Sequence, residues 1–311
     1  MSTVLVTGGA GYLGSVLVPQ LLGLGHEVTV LDTFMYDPHS LDGVAHDANF
    51  TLVRGDARDG AVLKPLVAKV DIVIPLAAIV GAPACDADPE AAVTTNRDAV
   101  ATLVGMLGAQ QRIAMPITNS GYGIGEEGIE CTEDSPLRPI SLYGRTKVEA
   151  EEIVLGRGNA ISLRLATVFG MSPRMRLDLL VNDFVHCALT KGSLVLYESH
   201  FMRNYLHVSD VARAFVHAID HFEAMKDEAY NVGLSDANLS KWELCERIKR
   251  QVPSFEFSEA PIGKDPDQRN YIVSNAKIEA TGFLPATSLD AGIAELVAGL
   301  PMLPEGRYRN A

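Results

Sequence analysis

The chain has 311 residues, of which 47% are hydrophobic and 21% charged, so it can bury a large core and is too apolar to be disordered. Its 26 Lys and Arg against 39 Asp and Glu leave a formal charge of −13, which argues against nucleic acid or an anionic membrane as the main partner. Without an apolar run of about 18 residues or a basic leader, we expect a cytoplasmic protein.

The first half alternates short aliphatic runs with amphipathic stretches of helix length, which is typical of strand–helix units around a parallel sheet. The predicted strands are residues 3–7, 27–32, 50–54, 72–76, 112–118 and 160–166. The predicted helices between them are residues 14–25, 61–69, 89–109 and 142–155. The expected fold class is therefore α/β, with a Rossmann-type doubly wound parallel sheet.

After Gly170 the pattern weakens. A helix over residues 177–191, a short strand over 204–208 and a helix over 211–221 are predicted. From Tyr230 onward, prolines separate short segments, which favours a smaller lobe. We expect a first domain over residues 1–170, to which a segment near 204–222 returns, and a second lobe over 171–311.

Three glycines, Gly8, Gly11 and Gly14, have a GxxGxxG spacing where the first strand turns into the first helix. Missing side chains at such a turn let the backbone approach a pyrophosphate, which the helix start stabilises. A glycine triplet alone is also compatible with a tight turn. Asp32 ends the second strand, where a carboxylate can bind both adenosine ribose hydroxyls and repel a 2′-phosphate. The pattern therefore predicts NAD rather than NADP.

Two further segments fit a dinucleotide. Asp56 follows the third strand and could accept a hydrogen bond from the adenine amino group, although an Asp turn explains it equally well. The small residues of the segment 76–78 follow the fourth strand and would admit the cofactor, although they could also be packing residues.

Tyr143 and Lys147 lie four residues apart, on one face of a predicted helix. Such a pair is common on protein surfaces. Here it follows a complete nucleotide-binding pattern in the same chain, which favours a catalytic pair.

The chain carries the glycine turn, Asp32, Asp56, the segment 76–78 and the pair Tyr143 and Lys147 in one order. In this order of motifs it resembles, over almost its whole length, the extended short-chain dehydrogenase/reductase family, which contains the nucleotide-sugar epimerases and dehydratases. The resemblance implies that Tyr143 is the base for a sugar hydroxyl, and that Lys147 holds the nicotinamide ribose and lowers the pKa of Tyr143. It implies Thr118 as the third catalytic residue, four before Tyr122 of the family's Tyr-Gly pair, with Ser120 as second candidate. The implied cofactor contacts are Gly8, Gly11, Tyr12, Leu13, Gly14, Asp32, Asp56, Ala57, Leu76, Ala77, Ala78, Asn96, Tyr143 and Lys147.

The two residues after Thr118 narrow the chemistry. Similar 4,6-dehydratases carry an Asp-Glu pair there, and this chain has Asn119 and Ser120. Related decarboxylases carry a Glu at the second position, and C3/C5 epimerases place a Cys in this segment. The resemblance therefore favours oxidation or reduction at a carbinol carbon, with C4 as the first candidate.

The second lobe is expected to bind the substrate, a nucleotide-diphosphate sugar. Arg203 and Arg269 match family positions that contact its nucleotide, and guanidinium groups suit phosphate oxygens. Thr167 replaces the family's usual Asn after the sixth strand, which weakens one diphosphate contact. Segments 80–83, 118–125 and 172–183 resemble a narrower branch, the GDP-heptose 4-dehydrogenases of capsule pathways. The expected substrate contacts are Val80, Gly81, Asn119, Ser120, Thr167, Arg174, Arg176, Asn182, Arg203 and Arg269.

Three alternatives stay open. The same residues would serve a 4-epimerase that re-reduces its ketone. A catalytically silent NAD sensor and a dehydrogenase acting on a non-nucleotide alcohol are less favoured. The family resemblance also implies a homodimer formed through the helices 89–109 and 143–155. No metal is expected, since the widely spaced cysteines and the pair His217 and His221 lack a ligand set.

Overall fold

The computed structural model describes residues 1–263, 268–304 and 308–310. Its strands are β1 Thr3–Thr7, β2 Glu27–Asp32, β3 Phe50–Arg54, β4 Ile72–Pro75, β5 Arg112–Thr118, β6 Glu130–Cys131, β7 Ala160–Leu165, β8 Thr167–Phe169, β9 Ser193–Leu196, β10 Met202–His207, β11 Glu228–Val232, β12 Asn238–Ser240, β13 Glu256–Glu259 and β14 Ile272–Val273. Its helices are α1 Gly14–Gly23, α2 Gly60–Val67, α3 Ala82–Ala87, α4 Pro89–Val93, α5 Ala99–Met106, α6 Leu142–Arg157, α7 Leu180–Thr190, α8 Val208–Asp220, α9 Phe222–Met225, α10 Lys241–Gln251, α11 Ala276–Glu279 and α12 Leu289–Gly299.

The central sheet of the described chain has seven strands in the order β11–β7–β5–β4–β1–β2–β3. Every neighbouring pair is parallel. The chain runs outward from β1 to β3 and then returns to β4 on the other side of β1. This reversal opens a crevice at the carboxyl ends of β1 and β4, where doubly wound folds bind ligands. The predicted fold class is confirmed.

Helices cover both faces of the sheet, which explains why its central strands are aliphatic throughout. On β1, Val4 and Val6 pack with Leu17 of α1 and Phe215 of α8 in one core cluster. The alternate residue Leu5 faces the other way, where it packs in a second cluster with residues of α2 and α5. Strand alternation thus divides one apolar run between two cores.

One predicted helix is divided in the structure. The periodicity predicts a single helix over residues 89–109, whereas α4 and α5 are separated by a π-helical turn over Thr94–Asp98 and α5 ends at Met106. Thr94 donates its hydroxyl to the carbonyl of Glu90 at 2.9 Å, and the turn carries the fully buried Asn96. Widened turns of this kind commonly mark functional positions.

Two boundaries of the domain division also differ from the expectation. Residues 228–232 fall at the predicted start of the smaller lobe, but they form β11, the edge strand that pairs in register with β7. The strand predicted over 204–208 is part of β10, which joins β8 and β12 in a separate sheet of three strands. Only the helix of that segment, α8, returns to the first domain, where it packs against α1. Elsewhere the predicted elements are present with shifted ends.

Among the described residues, no helix is both long and apolar enough to span a bilayer.

Candidate active site

A cavity of about 1180 Å³ opens at the carboxyl ends of the central strands, and residues of both lobes line it. The first domain contributes the glycine turn, the end of β2, the segment after β4, Thr118 and the start of α6. The second lobe contributes arginines. The predicted residues that line it are Gly8, Gly11, Tyr12, Leu13, Asp32, Asp56, Ala57, Leu76, Ala77, Ala78, Val80, Gly81, Thr118, Ser120, Tyr143, Lys147, Thr167, Arg174, Arg176, Arg203 and Arg269.

The glycine turn leaves room for a ligand on one side only. Gly8 has a φ of +73°, and a Cβ there would lie 2.5 Å from the backbone nitrogen of Ala77. A Cβ on Gly14 would lie 2.4 Å from the carbonyl oxygen of Gly9. At Gly11 a Cβ would meet just the carbonyl oxygen of Gly8, at 3.1 Å, and Gly11 lines the cavity. Gly8 and Gly14 are required by the fold, because a side chain at either position would collide with the backbone. Gly11 instead leaves its backbone open to a pyrophosphate, so the turn fits a dinucleotide.

Asp32 connects the end of β2 to this turn. Its Oδ2 accepts a hydrogen bond from the backbone N–H of Ala10 at 2.9 Å, and its Oδ1 accepts one from Phe34 at 2.8 Å. Burial raises the pKa of the Asp32 carboxyl, and these backbone bonds oppose the shift. Each oxygen keeps a second lone pair for a ribose hydroxyl, so the ribose contact stays a prediction that the geometry permits.

Asp56 is held by a cation that the sequence pattern did not single out. Arg58 donates from Nε and Nη2 to the Asp56 carboxylate, at 3.0 Å and 2.6 Å. This hydrogen bonding lowers the pKa of Asp56. Asp56 is therefore a charged acceptor at the rim of the cavity. Arg58 lies two residues after Asp56 in the sequence, so this ion pair could have been predicted.

Tyr143 and Lys147 are positioned by the first turns of α6, which Ser141 caps by accepting a hydrogen bond from the Gly144 N–H at 3.1 Å. Burial raises the pKa of Tyr143 to about 12. Burial also lowers the pKa of Lys147 to about 8, against the charge of Glu151.

The direction of the Tyr143 shift corrects an expectation. A lowered pKa is predicted from the neighbouring ammonium of Lys147, but removal of the phenolate from water outweighs such attraction and the pKa is raised. The positive groups that oppose the shift are the guanidinium groups of Arg176 and Arg269, which also line the cavity. Together with the neighbouring Thr118 side chain, they favour the phenolate.

The two candidates for the third catalytic residue lie in one hydrogen-bonded pair. Thr118 donates its hydroxyl to the Ser120 hydroxyl at 2.9 Å and accepts the Ser120 backbone N–H at 3.1 Å. Arg269 donates to the same Ser120 hydroxyl. Ser120 therefore connects Thr118 to an arginine of the second lobe, while Thr118 contacts Tyr143.

A buried ion pair between α6 and β7 was not predicted from the sequence. Glu151 lies one turn after Lys147 on the same face of α6, and Arg164 of β7 donates to its two oxygens at 3.0 Å and 2.9 Å. The side chains are 3% and 8% exposed. Arg164 also donates to the hydroxyl of Tyr122 at 3.1 Å. The four-residue spacing from Lys147 is the sequence signal that could have revealed it.

Three expected ligand contacts lie behind the cavity wall instead. Asn96 is fully buried; it accepts the Ile79 N–H at 2.7 Å and donates to the Ile79 carbonyl at 2.9 Å. Asn182 is likewise fully buried and donates to the carbonyl of Arg176 at 2.9 Å. The side chain of Asn119 is buried without a hydrogen-bond partner among the described residues. Asn96 and Asn182 therefore support wall segments. None of the three lines the cavity, and their contact with a ligand stays a prediction.

The four cysteines are buried free thiols. Over the described ranges of the chain, no group of His, Cys, Asp or Glu side chains is arranged to hold a metal ion.

The comparisons with known proteins identify the family. Residues 4–233 match the model of the NAD dependent epimerase/dehydratase family, and the chain belongs to that family. It is 31% identical to the low-salt glycan biosynthesis protein Agl12 of Haloferax volcanii, over 94% of this chain and 97% of that protein. It is 31% identical to a dTDP-glucose 4,6-dehydratase of Streptomyces griseus, over 94% and 92%.

A solved structure supports the same class. The UDP-glucose 4-epimerase of Thermus thermophilus in complex with NAD superimposes with a TM-score of 0.82 at 25% identity, covering 96% of this chain and 99% of that one. The predicted family, the enzyme class and the cofactor NAD are confirmed. The family comprises epimerases, dehydratases and decarboxylases, so it leaves the particular reaction to be argued from the site.

Proposed function

We propose that the protein oxidises C4 of a nucleotide-activated sugar, with a GDP-activated heptose as the first candidate substrate. The observation that carries the proposal is the set of side chains beside the glycine turn. Thr118, Tyr143 and Lys147 line one cavity with that turn. The two positions after Thr118 carry no carboxylate.

The chain's own residues supply the acid–base chemistry. The C4 hydroxyl would bind between the hydroxyls of Thr118 and Tyr143, and the Tyr143 oxygen would take its proton. When bound, NAD supplies the acceptor for the hydride that leaves C4. Lys147 would hold the cofactor ribose through its ammonium group. Since the pKa of Tyr143 is about 12, the site depends on positive charge near the phenolic oxygen.

Elimination of water lacks its catalytic groups. The similar dehydratases use an acid and a base at the two positions after the threonine, which are Asn119 and Ser120 here. The Ser120 hydroxyl is engaged by Thr118 and by Arg269. The similarity to a dTDP-glucose 4,6-dehydratase is therefore compatible with a shared oxidation step and not with the later dehydration.

The arginines favour an anionic substrate. Arg176, Arg203 and Arg269 line the cavity of a protein whose net charge is −13. Their guanidinium groups can bind phosphate oxygens bidentately. The proposal of a GDP-heptose rests on the resemblance of segments 80–83, 118–125 and 172–183, of which Val80 and Gly81 line the cavity.

A panel of nucleotide sugars tests the proposal. The purified protein is incubated with NAD and with GDP- and UDP-sugars, including a GDP-heptose, while the C4 configuration and the 4-keto product are followed by NMR. We expect a released 4-keto sugar. A product inverted at C4 would instead assign the chain to the 4-epimerases, and no reaction across the panel would contradict the proposal.

Tyr143→Phe is the matched variant for the same experiment. It removes the proposed base and keeps the ring, so we expect loss of turnover with NAD binding retained. If the variant has no turnover but still performs the protein's role in the cell, the protein is an NAD sensor and the enzymatic proposal fails.

We also propose, from the family resemblance, that two copies pair through residues 89–109, which include α4 and α5, and residues 143–155 of α6. These helices pack against each other, and Arg97 of the adjoining turn donates to Glu149 of α6 at 3.3 Å. Light scattering would show a mass of twice 33.4 kDa for a dimer and the single mass otherwise. The dimer and the cytoplasmic location both stay predictions.

A further inference from the structure

The loop that follows Gly170 docks on the glycine turn. Ser172 donates its hydroxyl to the carbonyl of Tyr12 at 2.7 Å and lies 2.9 Å from the hydroxyl of Ser15. The backbone N–H of Arg174 donates to that Ser15 hydroxyl at 3.4 Å. These contacts are buried. A second-lobe loop is therefore attached to the start of α1, where the turn leaves its bare backbone.

The side chain of Arg174 is held at the β2 end of the cavity. Its guanidinium lies over the ring of Tyr36, 4.1 Å from the centroid. Its Nη2 donates to the side-chain oxygen of Asn310 at 2.6 Å. Arg174 is 3% exposed and lines the cavity. Its charge acts on the Asp32 carboxylate, which is predicted to bind the adenosine ribose.

The other arginines of the cavity have different partners. Arg269 donates to Ser120, and Arg203 donates to the backbone carbonyl of Arg269. Arg176 acts electrostatically on Tyr143. These three guanidinium groups therefore act near Ser120 and Tyr143, whereas Arg174, although near enough to Arg176 for their charges to interact, faces Tyr36 and the end of β2. Its sequence-based assignment to the substrate stays a prediction, and this position offers a second assignment.

A dinucleotide at the glycine turn would bring negative charge to this end of the cavity. Its pyrophosphate carries two negative charges, and a glycine turn supplies backbone N–H groups rather than a full positive charge. Asp32 and Asp37 add negative charge around Arg174. A buried guanidinium at this point would compensate both and could bind phosphate oxygens bidentately.

We propose that Arg174 binds the pyrophosphate–ribose portion of NAD, with Tyr36 and Asn310 holding its guanidinium in place. Arg174 is then a cofactor-binding residue supplied by the second lobe. The inference rests on the cofactor of the proposed function and not on its sugar, so binding of sugar-free ligands tests it separately.

The experiment compares two ligand classes on nucleotide-free protein. Calorimetry measures the Kd of NAD and ADP-ribose on one side, and of GDP and UDP on the other. For Arg174→Ala we expect NAD and ADP-ribose to bind about 10- to 100-fold more weakly, because a charge-assisted contact is lost. GDP and UDP should change less than about twofold, because their diphosphate is proposed to bind near Arg203 and Arg269 and not at the glycine turn.

Three further variants keep the test decisive. Arg174→Lys retains the charge and loses the planar fork, so an intermediate loss is expected. Asn310→Ala removes one support of the guanidinium, and we expect a smaller loss confined to NAD and ADP-ribose. Arg247→Ala is the charge-matched control, since its guanidinium pairs with Asp290 outside the cavity. Thermal unfolding verifies that each variant is folded, and the Lys and Asn310 variants carry the comparison if Arg174→Ala does not fold.

Two results would overturn the inference. Weaker GDP or UDP binding with unchanged ADP-ribose binding would return Arg174 to the substrate site. Equal losses for both ligand classes, or the same loss in Arg247→Ala, would show a general effect of charge. A protein that turns over no nucleotide sugar but shows the ADP-ribose effect would contradict the proposed reaction and leave this inference standing.

Discussion

Replacing Glu151 with Gln should destabilise the protein far more than the same replacement at an exposed position of the same helix. Glu151 is 3% exposed and accepts two hydrogen bonds from Arg164, which is 8% exposed. It also accepts the hydroxyl of Ser162. The substitution removes the negative charge and leaves the guanidinium buried without a counter-charge.

Removing one partner of a buried ion pair costs about 3–5 kcal/mol. The amide oxygen of Gln can still accept one bond from Arg164, so we expect the lower end, about 3 kcal/mol. With about 2.1 cal/mol/K of unfolding entropy per residue, the 311 residues give ~0.65 kcal/mol/K. The melting temperature should therefore fall by about 5 °C.

Glu149→Gln is the matched control. Glu149 also lies on α6 and pairs with an arginine, Arg97, but those side chains are 45% and 38% exposed. Exposed pairs contribute up to about 1 kcal/mol, so a shift of ~1 °C is expected in differential scanning calorimetry. Replacing Glu151 and Arg164 together by Met should recover much of the loss, because no charge stays buried alone. Equal shifts for the two Gln variants would refute the reasoning.

Three further predictions concern the cavity. Tyr143→Phe should lower kcat by about 10²- to 10⁴-fold while the Kd of NAD, measured by calorimetry, stays within about twofold; a variant with near-normal kcat would exclude Tyr143 as the base. The pKa of Lys147 is about 8, and its ammonium is the form that donates to the ribose. NAD affinity should therefore fall as pH rises through that value and be flatter in Lys147→Met; parallel pH profiles would contradict the role of Lys147. Gly11→Ala should remain folded and lose NAD, whereas Gly8→Ala should unfold more readily, because its Cβ would collide with the Ala77 backbone. Thermal unfolding and NAD titration separate the two, and equal behaviour would count against the division of the glycine turn.

Local patterns were sufficient for the scaffold and for much of the site. Aliphatic runs bounded by Gly, Pro or Asp predict the strands because each is buried on both faces. The glycine spacing predicts a turn whose geometry is now visible at Gly8. Helical spacing predicts that Tyr143 and Lys147 share a face, and the nucleotide-binding pattern before them favours a catalytic pair.

Features that depend on distant partners could not be predicted in this way. Strand β11 belongs to the central sheet through its pairing with β7, and nothing within its own five residues indicates that partner. The π-helical turn before α5 has the same apolar periodicity as a continuous helix. Arg174 and Arg176 are two residues apart, yet one faces Tyr36 and the other acts on Tyr143. The raised pKa of Tyr143 depends on burial, which the spacing does not give.

The fate of the C4 hydrogen and of the C6 hydroxyl tests the central claim most directly. The protein is incubated with NAD and a nucleotide sugar carrying deuterium at C4, and product and cofactor are analysed by mass spectrometry. The side chains of Thr118, Tyr143 and Ser120 predict deuterium on the reduced cofactor and a 4-keto sugar that retains its C6 oxygen. A product that has lost water would contradict a reaction that stops at the ketone. A product with unchanged C4 configuration, the C4 deuterium still in place and no transfer to the cofactor would contradict oxidation at C4 as the reaction of this site.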